Sequence, residues 1–171
     1  MRVSEIGRMK CPVARTLSIV GDPWTLLIMR ELFLGSRRFA EFQGYTGMSP
    51  ALLSDRLKLL REEGIVTRGQ PRGQRRDGSS RNEYRLTEKG LDLYPVILAL
   101  SQWGSRWMCA EEEPFLELVH RTCGSRTAPH LACSECGEPI APRDVEAHIL
   151  PTMRDDRRRA RAEFQERIRG S

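Results

Sequence analysis

Met48-Ser49-Pro50-Ala51-Leu52-Leu53-Ser54-Asp55-Arg56-Leu57-Lys58-Leu59-Leu60, closing at Gly64, is the stretch on which the fold turns. Ser49-Pro50 starts a helix: the serine oxygen can accept from a free amide of the first turn, and proline at the first helical position gives up no needed donor. Leu53, Leu57 and Leu60 recur at spacings of four and three, so they share a core-facing side, which leaves Pro50, Ala51, Ser54, Asp55 and Lys58 outside. Upstream, Phe39 to Gly47 reads as a short helix and turn, capped by Ser36, with Phe39 and Phe42 inward and Gly44 and Gly47 bracketing the turn. Downstream, Ile65-Val66-Thr67 is a strand candidate with Asn82 to Leu86 as its partner, and Pro71, Gly73, Gly78, Ser79 and Ser80 make the tip between them irregular. The order helix, turn, helix, wing predicts a mainly α fold with a small β-hairpin wing. A helix of this size fits the major groove of duplex DNA, and a basic loop beside it can hold the backbone.

Two more helices complete the pattern. Asp22-Pro23 repeats the cap-plus-proline signal, and the helix runs to about Phe33, with Trp24, Leu27, Ile28 and Leu32 as its apolar face and Gly35 as its stop. Thr87 caps a later helix carrying Leu91, Leu93, Tyr94, Val96, Ile97, Leu98, Leu100, Trp103 and Trp107, with Pro95 kinking it early. Apolar residues cover more of its circumference than a monomer needs. A homodimer is therefore expected through this helix and an N-terminal one near Val13 to Val20.

The chain of 171 residues holds one full domain and a small appendage, and its formal charge of +5 suits a polyanionic partner. The charge is uneven. Arg68, Arg72, Arg75, Arg76, Arg81 and Arg85 face only Asp77 and Glu83 in one segment, whereas Glu111, Glu112, Glu113 and Glu117 stand together without a base. No apolar run reaches the roughly 20 residues needed to span a bilayer, and the first residues lack a signal segment, so no membrane partner and a cytoplasmic location are expected. In that compartment five cysteines call for a metal or redox explanation rather than a disulfide framework.

Several motifs together resemble the HxlR family of bacterial winged helix-turn-helix regulators. They are Cys11-Pro12-Val13, Gly21-Asp22-Pro23-Trp24-Thr25-Leu26-Leu27-Ile28, Arg38-Phe39-Ala40-Glu41-Phe42, Gly64-Ile65-Val66-Thr67-Arg68, Glu83-Tyr84-Arg85-Leu86-Thr87-Glu88-Lys89-Gly90 and Gln102-Trp103-Gly104, in the family's order over about residues 11 to 108. The resemblance implies a dimeric transcription regulator that binds operator DNA on the bacterial nucleoid. This chain departs from the family's pattern in having Pro23 where a lysine often precedes the tryptophan, and Ser79-Ser80-Arg81 where a proline is common.

On the DNA-binding face, Ser49, Pro50, Ala51 and Ser54 are short enough to let the helix backbone approach base edges. Pro50 and Ala51 suit a thymine methyl, Ser54 a donor or an acceptor, and Asp55 the cytosine amino group. Lys58 reaches guanine or phosphate, and Arg72, Arg75 and Arg76 of the wing suit phosphate or a narrow minor groove. Of Arg37 and Arg38, one is expected on phosphate and the other on a carboxylate of the fold.

His120-Arg121-Thr122-Cys123-Gly124 and Cys133-Ser134-Glu135-Cys136-Gly137 repeat one pattern: ligand, two residues, cysteine, glycine. A two-residue gap lets both side chains of a turn reach one metal, and the glycine can take the positive φ that closes it. His120, Cys123, Cys133 and Cys136 thus form a candidate structural zinc set, with His130 and His148 as possible substitutes for His120. Cys11 lies at a position where some members of the resembled family sense oxidants or electrophiles, and Lys10 and Arg15 nearby favour a thiolate. A small buried apolar residue at the dimer interface is the other reading of Cys11, and Cys109 is a possible partner for it across a dimer. The expected division is a winged-helix and dimerisation domain over 8–113, a zinc-ribbon-like extension over 114–150 and a charged tail over 151–171 that is helix-permissive and partly disordered. The leading functional reading is a sequence-specific regulator, open to an oxidant or small-molecule effector, and not an enzyme. Its rivals are a zinc-stabilised protein-interaction scaffold and a thiol oxidoreductase using Cys133 and Cys136, which would want a βαβ setting.

Overall fold

A computed structural model of the chain describes residues 11–69, 83–109 and 116–169. In order they form helices α1 (Pro12–Val20), α2 (Pro23–Leu34), α3 (Phe39–Thr46) and α4 (Pro50–Glu62), then strands β1 (Val66–Gly69) and β2 (Glu83–Leu86). Helices α5 (Glu88–Leu91) and α6 (Tyr94–Trp107), strands β3 (Leu118–Val119) and β4 (Arg126–Thr127), and helix α7 (Pro151–Arg169) follow. Two compact units result: Thr16–Met108, and a second that holds residues 11–15, Cys109 and 116–169.

The core lies in the first unit. Val20, Ile28, Met29, Leu32, Phe42, Met48, Leu53, Leu57, Leu60, Ile65, Val66 and Tyr84 are buried together. Asp22 caps α2 by accepting from the amides of Trp24 and Thr25 at 3.1 and 3.2 Å, and Gly35 ends it at a φ of 105°. The buried side of α2 is Thr25, Ile28, Met29 and Leu32, whereas Trp24 is exposed. Spacing alone had suggested Trp24. Both sets have helical spacing, and in a helix apolar around most of its girth only the packing partner selects between them.

Ser36 is not the cap of α3. Its hydroxyl is buried and donates to Glu31 Oε2 at 3.3 Å, and Arg38 occupies the N-cap position. Glu41, three residues into the helix, supplies the cap from the other side by accepting from the amides of Arg37 and Arg38 at 2.7 and 2.9 Å. The wing is an antiparallel pair running from Val66↔Leu86 to Gly69↔Glu83. Buried Tyr84 fastens it, with its amide donating to Arg37 O at 2.8 Å and its ring edge-on to Phe42 at 6.0 Å.

The long helix expected after Thr87 is two helices. A break at Asp92 and Leu93 separates α5 from α6, and Pro95 stands in the first turn of α6, where its missing amide removes no helical bond. The charged, helix-permissive last segment forms a continuous helix over Pro151–Arg169, none of whose residues is buried. Its alternation of arginine, acid and alanine is compatible with helix without a core.

Candidate nucleic-acid interface

Around α4 the sequence pattern becomes geometry. Ser49 caps it, with Oγ accepting from the Leu52 amide at 3.4 Å, and Leu53, Leu57 and Leu60 are buried beneath it. Ser49, Pro50, Ala51, Ser54, Asp55 and Lys58 are all exposed, so the residues expected to read DNA stand on the open side of one helix. Lys58 meets Glu62 at 3.9 Å, but at 71% and 62% side-chain exposure this pair is weak and readily exchanged for a phosphate.

Arg56, which spacing did not single out, fixes the pose of this helix. Its Nη2 donates to Asp22 Oδ2 at 3.0 Å across 34 residues, while Asp22 Oδ1 caps α2. One carboxylate therefore starts the first core helix and ties it to the candidate recognition helix.

The two neighbouring arginines take different roles. The Arg37 guanidinium donates to the carbonyls of Leu32 and Ser36 at 2.6 and 2.8 Å, closing the end of α2. Neither guanidinium has a hydrogen bond or ion pair with a carboxylate among the described residues; Glu41 instead receives both backbone amides. The Arg37 amide above all holds the Glu41 carboxyl below the usual range against the opposing pull of burial, with the Arg38 amide and both arginine charges adding to the lowering. Arg38 is half-buried, and its guanidinium acts on Glu41 only through its charge, without a hydrogen bond or close ion pair among the described residues, so it is the better placed of the two for phosphate.

Two further residues were not assigned to the DNA-binding face from the sequence, although Arg68 was named in its basic segment. Arg68 is exposed on β1 with its Cζ 5.7 Å from the Tyr84 ring centre, and Tyr45, 67% exposed, lies just before the turn into α4. The motif Thr67-Arg68 was a usable signal for the first; nothing in the spacing marked the second. Arg72, Arg75 and Arg76 lie outside the described residues.

Behind the wing, Thr87 Oγ1 donates toward the Gly64 and Ile65 carbonyls at 2.6 and 3.1 Å and accepts from the Gly90 amide at 3.1 Å. Lys89 Nζ donates to Glu63 O at 2.6 Å. A Cβ on Gly90 would fall 2.3 Å from the Ile65 carbonyl oxygen. Thr87-Glu88-Lys89-Gly90 is thus a clasp that docks α5 on the end of α4 and the root of β1.

The second unit holds the His-Cys pattern. His120 Nδ1 lies 3.3 Å from Cys123 Sγ. The amide and hydroxyl of Ser125 hold the Cys123 thiol below its ordinary range. The amides of Cys136 and Glu135, with the Cys136 thiol, do the same for Cys133. The two pairs are formed separately: among the described residues no set of three or more His, Cys, Asp or Glu side chains is gathered for a metal. Cys11 is half-buried and unbridged, and Cys109 is exposed and also unbridged.

A helix-turn-helix whose second helix keeps a polar face open, followed by an antiparallel hairpin, defines a winged-helix DNA-binding module. The family model described as HxlR-like helix-turn-helix matches residues 19–112, and the chain belongs to that family of transcriptional regulators. It is 43% identical over 133 residues to the HTH-type transcriptional regulator Rv3095 of Mycobacterium tuberculosis, covering 78% of this chain and 82% of that protein. The crystal structure of PA1607, described as a transcription factor, superposes with a TM-score of 0.71 at 34% identity, covering 84% of this chain and 98% of that one. The redox regulator HypR in its oxidised form gives 0.50 at 31% identity over 56% of this chain and 96% of its own. The PA1607 likeness covers more of the chain than residues 1–113 could supply, so it extends into the C-terminal extension.

Proposed function

We propose that the protein binds operator DNA as a homodimer, with α4 in the major groove and the wing on the flanking backbone. The observation that carries this reading is the sorting of α4: leucines buried on one side, and short polar residues with Lys58 exposed on the other. Ser54 and Asp55 read base edges, Pro50 and Ala51 allow close approach, and Lys58, Arg38 and Arg68 hold phosphate, joined by Arg72, Arg75 and Arg76. Self-association is supported by α6, which leaves Val96, Leu100, Trp103 and Trp107 at 41 to 65% exposure in the single chain. Apolar area of that kind on one helix belongs against a second copy. The test is binding to duplexes selected by the protein from a random library, measured across a salt series. Lys58→Ala is expected to weaken all sequences alike and to reduce the salt slope by about 0.9. Ser54→Ala is expected to change which sequence is preferred.

A second strand of this reading concerns an oxidant effector, supported by the likeness to HypR, itself a redox regulator. Cys11 is the residue we assign to it. Diamide treatment is expected to change operator affinity in the wild type and not in Cys11→Ser; an unchanged response in the variant would move sensing to other thiols. No helix among the described residues is long and apolar enough to cross a membrane, and the thiol oxidoreductase and scaffold readings gain nothing from family membership.

A further inference from the structure

We infer that His120, Cys123, Cys133 and Cys136 form a closed, four-ligand zinc site that holds the C-terminal extension together. This goes beyond operator binding and stands or falls apart from it. The first observation is that the two segments adopt one backbone shape. Gly124 donates its amide to His120 O at 2.8 Å and Gly137 donates to Cys133 O at 2.9 Å, so each turn closes on its own first ligand. Each leading residue then donates a strand-like bond beyond the turn, His120 N to Ser125 O and Cys133 N to Glu138 O, both at 2.9 Å. Gly124 and Gly137 carry φ values of 70° and 74°, the left-handed conformation that lets a turn fold back beneath a bound ion. Two unrelated loops would not share hydrogen bonds, glycine conformation and ligand spacing together. Each is also mounted at the tip of a short antiparallel pair, Leu118↔Thr127 with Val119↔Arg126 for the first and the Ala132↔Pro139 bridge for the second.

The second observation is that no apolar core forms among the described residues of this extension. None of the described residues 116–169 is buried, and Leu131, Val145, Ile149 and Leu150 are all exposed. A segment that makes ordered turns without an apolar core fits one whose folding energy comes from metal. The donor set suits the ion: one imidazole and three thiols match the tetrahedral preference of zinc, and with four protein ligands no position is left open for substrate. The pairs stand preformed, and the ion supplies the attraction that brings them to one point.

The experiment uses the full chain purified in reducing buffer, with zinc counted by elemental analysis and native mass spectrometry. One zinc per chain is expected in the wild type and in Cys11→Ser, and none in Cys123→Ser or Cys133→Ser. His120→Cys is expected to keep the ion, and His120→Ala to lose it while His130→Ala and His148→Ala keep it. Far-ultraviolet circular dichroism on each variant reports whether the winged-helix unit is still folded, so loss of metal is read on folded protein. A wild type that is metal-free after zinc addition, with all five thiols freely titratable, would overturn the assignment, as would zinc retained in Cys133→Ser.

Discussion

At the scale of single residues, three contacts carry sharp consequences. Glu41 has a folded-state pKa below its usual value because two amides point at its carboxylate. Its contribution is therefore fully present above the unfolded carboxylate range, near 4.5, and lost as pH falls through the depressed folded value. Glu41→Gln should cost about 1 kcal/mol at neutral pH, and its deficit in urea midpoint should close in acid; a pH-independent deficit would mean that charge is irrelevant there. Asp22 serves two partners, and asparagine can replace it as a cap but not as an ion-pair partner. Asp22→Asn should lose up to about 1 kcal/mol through Arg56, whereas Asp22→Ala should lose about 1 kcal/mol more with the cap. Gly90→Ala forces a methyl against the Ile65 carbonyl and should lower stability by about 1 to 3 kcal/mol, measured by chemical unfolding.

At the scale of elements, much was legible in the sequence because cap-plus-proline signals and leucine spacing act locally. Ser49-Pro50 and Asp22-Pro23 marked α4 and α2 correctly, and Gly35, Gly47 and Gly64 take the left-handed turns that end helices or lead out of them. What spacing could not supply was contact across the chain. The Arg56 tie to Asp22 spans 34 residues, the clasp around Gly90 depends on how α5 meets β1, and the buried side of α2 was fixed by its neighbours. Ser36 illustrates the same limit, since a serine near a helix start reads as a cap until Glu31 is found beside it. On α4 itself, Ser54→Ala should shift base preference by about fivefold at one position, roughly 1 kcal/mol, while leaving the unfolding midpoint unchanged.

At the scale of the molecule, two units divide the work. The winged-helix unit owns the apolar core and the candidate recognition helix; the described residues of the C-terminal unit are ordered without a buried side chain. Their stabilities should therefore separate, with a zinc chelator loosening the extension while the thermal transition of the core persists. Self-association belongs to this scale too: Trp103→Glu on α6 should yield a folded monomer by light scattering, with operator affinity reduced at least tenfold because a dimer engages two half-sites. The measurement that bears most directly on the central claim is equilibrium binding of a self-selected duplex by wild type, Ser54→Ala and Lys58→Ala over a range of salt. The account predicts tight, salt-dependent binding, with the first variant altered in sequence preference and the second weakened on every duplex. Binding that shows no sequence preference, or that neither substitution changes, would contradict the placing of α4 in the groove.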